Sequence, residues 1–252
     1  MIDLHSHVLP GIDDGPDTID RSLALVRAAA EVGIRTMVAT PHVSARCPND
    51  ADTIAGLVIG LNERLQAEQV PVQILPGAEI ALTHLPNIDE NELRRLGLGG
   101  SRFLLLEPPF ALVAPGLENA IAKLRAGGFE IVLAHPERCP ALQRDRRIVP
   151  ELAAAGVLMS LTAGSLVGRF GGEVKRYALE LARERLIHNV TSDAHDSLRR
   201  PPGMAAELQS AGLAPMADWL TTLVPQAILS GSEIPPRPQV AVGRRRGWRR
   251  RG

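Results

Sequence analysis

Cysteine is scarce in this sequence, since only Cys47 and Cys139 occur among its 252 residues. Two thiols cannot build a disulfide framework or a thiolate zinc site, so we interpret both as reduced thiols. Long apolar runs are also missing, because no stretch approaches the roughly 20 residues needed to cross a bilayer, and residues 1–20 lack the pattern of a signal peptide. These absences predict a cytoplasmic protein whose chemistry does not depend on sulfur.

The charge is distributed unevenly along the chain. The formal net charge is zero, but residues 244–252 contain six arginines and no acid, which leaves the first 243 residues with more acidic than basic side chains. With 45% apolar residues the chain can bury one full core. We therefore predict one domain over residues 1–234 and a proline- and arginine-rich basic tail over residues 235–252, which we expect to be disordered.

Short apolar runs alternate with amphipathic segments, which is typical of a β/α chain. In the best-defined helical pattern, Asp17 is a candidate cap and Gly33 a candidate C-terminal stop. The crossovers imply parallel pairing, and we predict an α/β fold with a distorted seven-stranded parallel (β/α)7 barrel of the TIM type. The predicted strands are Met1 to Leu4, Ile34 to Ala39, Val72 to Ala78, Phe103 to Leu106, Ile131 to Ala134, Val157 to Leu161 and His188 to Thr191.

Histidines and acids follow the predicted strands at or just beyond their C-terminal ends. Those ends converge on one rim of a parallel barrel, so residues that are distant in sequence can face a common centre. Nitrogen and carboxylate donors without thiolate suit manganese, iron or zinc. The candidate ligands are His5, His7, Asp14, His42, Glu79, Glu107, His135, Asp193 and His195.

Each of these residues also has an ordinary explanation. A single histidine is more often a hydrogen-bonded structural residue than a ligand, and an acid after a strand is usually a helix cap or a solvated charge. It is the coincidence of five of the seven histidines with four acids at strand exits that predicts a metal cluster. His84 and His188 fall outside this pattern, and we interpret them as structural.

With their neighbours, these residues resemble the polymerase and histidinol phosphatase (PHP) superfamily. More narrowly, the chain is similar to the bacterial manganese-dependent protein tyrosine phosphatases of capsule and exopolysaccharide operons, the CpsB and YwqE type. LPGIDDG, HPER and GSLVGRFG are the more specific motifs. The stretches are MIDLHSHVLPGIDDG at 1–15, ATPH at 39–42, PGAEI at 76–80, LLEPPF at 105–110, AHPER at 134–138, AGSLVGRFG at 163–171 and SDAH at 192–195.

The resemblance implies a PHP-type phosphoesterase domain that binds three divalent ions, with manganese as the favoured metal. It implies that His5, His7, Glu79 and Asp193 hold one ion, that Glu79, Glu107 and His135 hold a second, and that Asp14, His42 and His195 hold a third. Arg138 resembles an arginine that binds phosphate in relatives. Arg200 or Arg199 is a candidate for a second such role, and the alternative is that both are ordinary surface charges. Metal-activated hydroxide would hydrolyse phosphotyrosine, and His195 or a water would protonate the leaving group.

The resemblance also implies a partner, a phosphotyrosine protein such as a bacterial tyrosine kinase that regulates polysaccharide export. The basic tail is a candidate contact for an acidic partner, and nucleic acid is disfavoured as a target. A cysteine-based phosphatase loop is excluded, because the sixth residue after Cys47 is Thr53 and the sixth after Cys139 is Asp145, not arginine.

Three alternatives remain open. A small-molecule phosphatase of the histidinol-phosphate type or a nuclease would use the same ligands. An amidohydrolase is disfavoured, because many of these enzymes need a carboxylated lysine after a strand. The only lysines here, Lys123 and Lys175, lie in helical patterns. A binding module without activity is disfavoured by the full set of ligands.

Overall fold

The computed structural model describes residues 1–239 and has an α/β fold with parallel sheets, as the sequence predicts. Residues 240–252, which include six of the seven arginines of the predicted basic tail, lie outside the described residues. The strands are β1 Ile2–Ser6, β2 Thr36–Ala39, β3 His42–Val43, β4 Gln73–Pro76, β5 Glu79–Ala81, β6 Phe103–Glu107, β7 Glu130–Ala134, β8 Leu158–Thr162 and β9 Asn189–Thr191.

The structure describes nine strands where seven are predicted, because pairing resumes in β3 and β5, just beyond the ends of two predicted strands. The strands form two sheets, β1-β2-β4 and β3-β5-β6-β7-β8-β9. Pro41 and Pro76 lie at the interruptions and have no N–H to donate to a ladder. Gly77 packs so tightly that a Cβ there would lie 2.7 Å from Val38 Cγ1. The hydrogen-bonded ladder therefore stops beside Gly77 and resumes with β3 and β5.

The first and last strands approach each other at the rim where their C-terminal ends lie. A single parallel bridge joins Ser6 to Ala194, and the His7 N–H donates to the Ala194 carbonyl at 2.9 Å. In the described residues regular pairing does not continue between β1 and β9, so the sheets are not closed into a hydrogen-bonded barrel. The rim contact still brings the two ends of the strand series together.

Helices connect the strands and cover them. The first helix is capped by Thr18, whose side chain accepts from the Arg21 N–H, and not by Asp17 as predicted, because Asp17 makes an exposed ion pair with Arg21. Gly33 follows this helix with φ +86°, as expected for a C-terminal stop. The helices are α1 Ile19–Glu31, α2 Ala51–Ala67, α3 Glu90–Arg95, α4 Leu117–Ala126, α5 Pro140–Arg144, α6 Ile148–Ala154, α7 Ala163–Val167, α8 Gly172–Arg183, α9 Ala205–Ser210 and α10 Val224–Ser230.

The end of the described chain packs against the body of the protein. Trp219 Nε1 donates to the Pro235 carbonyl at 3.0 Å, and the Arg237 guanidinium lies 4.7 Å from the centre of the Trp219 ring. The predicted domain boundary at residue 234 stays a prediction. None of the helices in residues 1–239 combines the length and apolar character needed to cross a bilayer.

Candidate metal centre

The structure brings all nine candidate ligands together at the rim formed by the strand ends. Seven of them are buried or half-buried side chains whose backbone belongs to a strand or follows one within two residues, and Asp14 and His195 come from adjoining loops. Within each group the donor atoms lie within 4.8 Å of one another. The groups are His7, Asp14, His42 and His195; His5, His7 and Asp193; His5, Glu79 and His135; and His42, Glu79 and Glu107.

Glu79, the first residue of β5, lies at the middle of the cluster. Its Oε2 atom is 3.3 Å from Nε2 of both His5 and His7, and 3.0 Å from Nδ1 of His42. Its Oε1 atom is 2.7 Å from Nε2 of His135. Burial opposes ionisation of Glu79, but the neighbouring imidazoles of His5, His135 and His42 outweigh it and hold its pKa well below the usual range.

The donor atoms around Glu79 fit a divalent cation. Oε2 is buried yet has no hydrogen-bond partner among the described residues, which is costly for a carboxylate oxygen. Ligands at about 2.1 Å from an ion lie roughly 3.0 to 3.4 Å from each other. The separations of Glu79 Oε2 from its three imidazole nitrogens fall in that range, so an ion would satisfy the oxygen.

Asp193 completes the group around His5 and His7. Its Oδ1 atom lies 3.6 Å from Nε2 of each histidine, and the two Nε2 atoms are 3.2 Å apart. Burial opposes ionisation of Asp193, but His5 and Arg200 hold its pKa well below normal. Asp193 and His135 both have positive φ, at +51° and +31°, and such backbone strain is concentrated at functional sites.

A second part of the cluster opens to solvent through Asp14, whose side chain is 60% exposed. Asp14 Oδ1 is 3.2 Å from Nε2 of His195 and 3.5 Å from Nε2 of His42. His7 also lies within reach of this group. The three residues that the resemblance assigns to one ion are therefore adjacent in the structure.

Glu107 differs from the resemblance in its neighbours. It lies in one group with Glu79 and His42, whose Nδ1 is 3.8 Å from Glu107 Oε2, whereas His135 is grouped with Glu79 and His5. Burial and the negative charge of Glu79 raise the pKa of Glu107 to about 7. Two carboxylates this close repel each other, and a cation between them would relieve the repulsion.

Asp13 is a site residue that the sequence reasoning missed. Its Oδ2 atom lies 2.7 Å from His7 Nδ1, and it also accepts from the backbone N–H of His42 at 3.2 Å. With Nδ1 protonated and bonded to Asp13, the lone pair of His7 Nε2 faces the cluster. The pair Asp13-Asp14 gives no sign in sequence of which aspartate is buried, and Asp13 is the buried one.

Asp3 was also missed, although it precedes the His-x-His motif. It is buried and accepts hydrogen bonds from the Ser192 hydroxyl and, at 3.0 Å, from the Ser192 N–H. Burial raises its pKa to about 6. Asp3 thereby ties β1 to the turn that carries Asp193.

Arg138 and Arg200 both hydrogen bond to the same atom, Asp193 Oδ2, and the bond from Arg200 Nη2 measures 2.6 Å. The side chain of Arg199 instead points into solvent at the edge of a cleft of about 590 Å³. The cleft is also lined by Asp14 and His195, so it leads from the surface to the cluster. Of the two arginines left open by the sequence, Arg200 is the one at the cluster.

The family model for capsular polysaccharide synthesis, CpsB/CapC, matches residues 1–212.

The chain belongs to the CpsB/CapC family.

Two relatives in this CpsB/CapC family show the extent of the similarity. The tyrosine-protein phosphatase YwqE of Bacillus subtilis (strain 168) is 36% identical over 197 residues, which cover 78% of each chain. The tyrosine-protein phosphatase CpsB of Streptococcus agalactiae is 28% identical over 212 residues, covering 81% of this chain and 87% of the relative. The family-model match over residues 1–212 includes every candidate ligand of the cluster.

A solved structure shares the whole fold of this CpsB/CapC member. It comes from work on YwqE of Bacillus subtilis and CpsB of Streptococcus pneumoniae, described there as metal-dependent tyrosine phosphatases. The TM-score is 0.81 with 31% identity, and the alignment covers 96% of this chain and 100% of the other.

Proposed function

We propose that this chain is a metal-dependent protein-tyrosine phosphatase, which converts protein tyrosine phosphate and water into protein tyrosine and phosphate. The observation that carries the proposal is Glu79 Oε2, a buried carboxylate oxygen that faces three imidazole nitrogens and has no hydrogen-bond partner in the described residues. Relatives that are named tyrosine-protein phosphatases support the substrate class.

The nine ligands would hold up to three ions. His5, His7, Glu79 and Asp193 would hold one; Glu79, Glu107 and His135 a second; and Asp14, His42 and His195 a third. Nitrogen and oxygen donors without sulfur favour manganese, with iron or zinc as alternatives. When bound, such ions neutralise the charge of a phosphate and lower the pKa of water from 15.7 toward about 7, which supplies a nucleophile at neutral pH.

The protein itself contributes phosphate binding and positioning. Arg138 and Arg200 share one oxygen of Asp193, so their remaining N–H groups are available for the oxygens of a phosphate above it. Asp13 fixes the His7 ring, and Asp3 fixes the turn before Asp193. Both acids therefore maintain the ligand geometry without contacting substrate.

Departure of the tyrosine oxygen needs little assistance, because a phenol has a pKa near about 10 and leaves more easily than an alkoxide. His195 lines the cleft through which an ester reaches the cluster. We assign proton transfer to the leaving oxygen to a water in that cleft or to His195, which could serve only while its Nε2 atom is not bound to an ion.

The biological setting is part of the proposal. Membership of the CpsB/CapC family supports a role in capsular or exopolysaccharide synthesis. A bacterial tyrosine kinase would then be the phosphotyrosine partner, and the chain would act in the cytoplasm. Its fold would be a distorted (β/α)7 barrel in which β2 with β3, and β4 with β5, each count as one strand.

A comparison of substrates tests the proposed activity. We expect the manganese-loaded chain to hydrolyse a phosphotyrosine peptide with a kcat/KM at least 100-fold above that for histidinol phosphate or a dinucleotide. Glu79→Gln should abolish turnover of every substrate, since it removes a charge from the centre of the cluster. A preference for histidinol phosphate or for the dinucleotide would favour the small-molecule phosphatase or the nuclease instead.

A further inference from the structure

The distribution of phenylalanine in this chain is unusual. The sequence contains four phenylalanines. Phe103 and Phe129 are core residues that are each 3% exposed, whereas Phe110 is 54% exposed and Phe170 is half-buried. The two that lie outside the core both contact Arg138, one of the arginines assigned to phosphate binding.

The two rings approach Arg138 from different segments. The guanidinium carbon of Arg138 lies 5.4 Å from the centre of the Phe110 ring and 4.4 Å from that of Phe170. Phe110 follows β6, and Phe170 follows α7. Two loops that are distant in sequence therefore place aromatic rings on the same guanidinium.

Both rings also lie beside other parts of the site. The Phe110 ring centre is 5.6 Å from that of His135, and the Arg200 guanidinium carbon is 5.8 Å from the centre of Phe170. The aromatic surface is thus continuous with a candidate metal ligand on one side and with the second arginine on the other. More than half of Phe110 is still accessible to another molecule.

We infer that Phe110 and Phe170 form an aromatic rim that receives the phenyl ring of phosphotyrosine while Arg138 and Arg200 bind its phosphate. This inference rests on the proposed function and names the feature that selects an aryl ester. The phenyl ring is joined to its phosphate through one ester oxygen, so it must lie a few ångströms from the guanidinium groups that hold the phosphate. A phosphoserine side chain has no ring to place there.

Contact between aromatic rings contributes modestly beyond the area that they bury. The rim therefore predicts a measurable preference for aryl compounds, and not an absolute one. A purely structural role for the rings, in which they only hold Arg138, would affect aryl and alkyl ligands equally.

Two phosphonates that cannot be hydrolysed distinguish these roles. Calorimetry on the full, manganese-loaded chain would compare phenylphosphonate with methylphosphonate. For Phe110→Ala and for Phe170→Leu we expect the Kd of phenylphosphonate to rise roughly 3- to 10-fold and the Kd of methylphosphonate to change less than 2-fold. Phe110→Tyr should restore phenylphosphonate binding, because it retains the ring.

Leu112→Ala is the matched control, since Leu112 lies in the same loop, is 66% exposed and is not part of the proposed rim. It should leave both Kd values unchanged. Equal weakening of both phosphonates by Phe110→Ala, or no change in either, would overturn the inference. The proposed function fails separately, if the wild-type chain binds phenylphosphonate but hydrolyses no phosphotyrosine peptide. In that case the effect of Phe110→Ala on the Kd of phenylphosphonate would still test the ring contact.

Discussion

Nδ1 of His7 and Oδ2 of Asp13 lie 2.7 Å apart, and both side chains are buried. Burial by itself lowers the pKa of His7, but the hydrogen bond to Asp13 and the nearby carboxylate of Glu79 outweigh it and raise that pKa well above the usual value. In the presence of a cation at Nε2, the same bond to Asp13 would instead select the neutral tautomer with its proton on Nδ1. Asp13 is therefore expected to strengthen metal binding without being a ligand.

Removal of this bond gives the first prediction. Asp13→Ala should weaken manganese binding by roughly 10- to 100-fold, because the His7 ring loses its fixed orientation. A manganese titration of the chelator-treated protein measures the effect. Asp17→Ala is the control, since Asp17 is exposed and pairs with Arg21 alone. Equal manganese affinity in Asp13→Ala and wild type would contradict the role given to Asp13.

The two adjacent arginines give a matched pair for the second prediction. Arg200→Ala should lower kcat/KM for a phosphotyrosine peptide by roughly 10- to 100-fold, since a hydrogen bond to a charged group contributes about 1.5 to 3 kcal/mol. Arg199→Ala should change it less than 2-fold, because the Arg199 side chain is exposed. Steady-state kinetics would distinguish them, and a larger effect of Arg199→Ala would reverse the assignment.

His188 gives a prediction about the dependence of stability on pH. Burial and the charge of Arg237 lower the pKa of His188 to about 4. Its Nδ1 atom accepts from the Met159 N–H at 3.1 Å, which requires an unprotonated nitrogen. The unfolded chain, with a histidine pKa near 6.5, binds the proton more readily than the folded chain. Protonation therefore favours unfolding, and the stability from this group is lost as pH falls from about 6.5 to about 4.

A variant isolates this contribution from the carboxylates that titrate in the same window. Between pH 7 and pH 4.5, the free energy of unfolding should decrease by about 2 kcal/mol more for wild type than for His188→Gln. Urea denaturation at the two pH values measures the difference. His84→Gln should behave like wild type. The same pH dependence in His188→Gln and wild type would show that His188 does not contribute it.

Much of the site follows from sequence, because parallel strands deliver their C-terminal ends to one rim. This geometry explains why His5, Glu79, His135 and Asp193 could be grouped although nearly 190 residues separate the first from the last. A metal cluster needs particular donor types at those ends, and donor type is visible in sequence.

Burial and local hydrogen bonding could be predicted less well from the sequence. Asp13 and Asp14 are neighbours of the same type, and only the fold shows that Asp13 is buried against His7 while Asp14 lies on the solvent-exposed side of the cluster. Thr18 and Asp17 are likewise both good caps, and the helix begins after Thr18. Pro76 and Gly77 are visible in the predicted strand at residues 72–78, but the sequence does not show that pairing resumes one residue after it, at Glu79.

The central claim is that the clustered side chains work by holding divalent cations, and hydrolysis of a phosphotyrosine peptide by chelator-stripped protein tests it most directly. The stripped chain should lose at least 99% of its activity, and added manganese should restore wild type but not His135→Ala, which lacks the imidazole next to Glu79. Full activity in the stripped wild-type chain and in His135→Ala would contradict the claim.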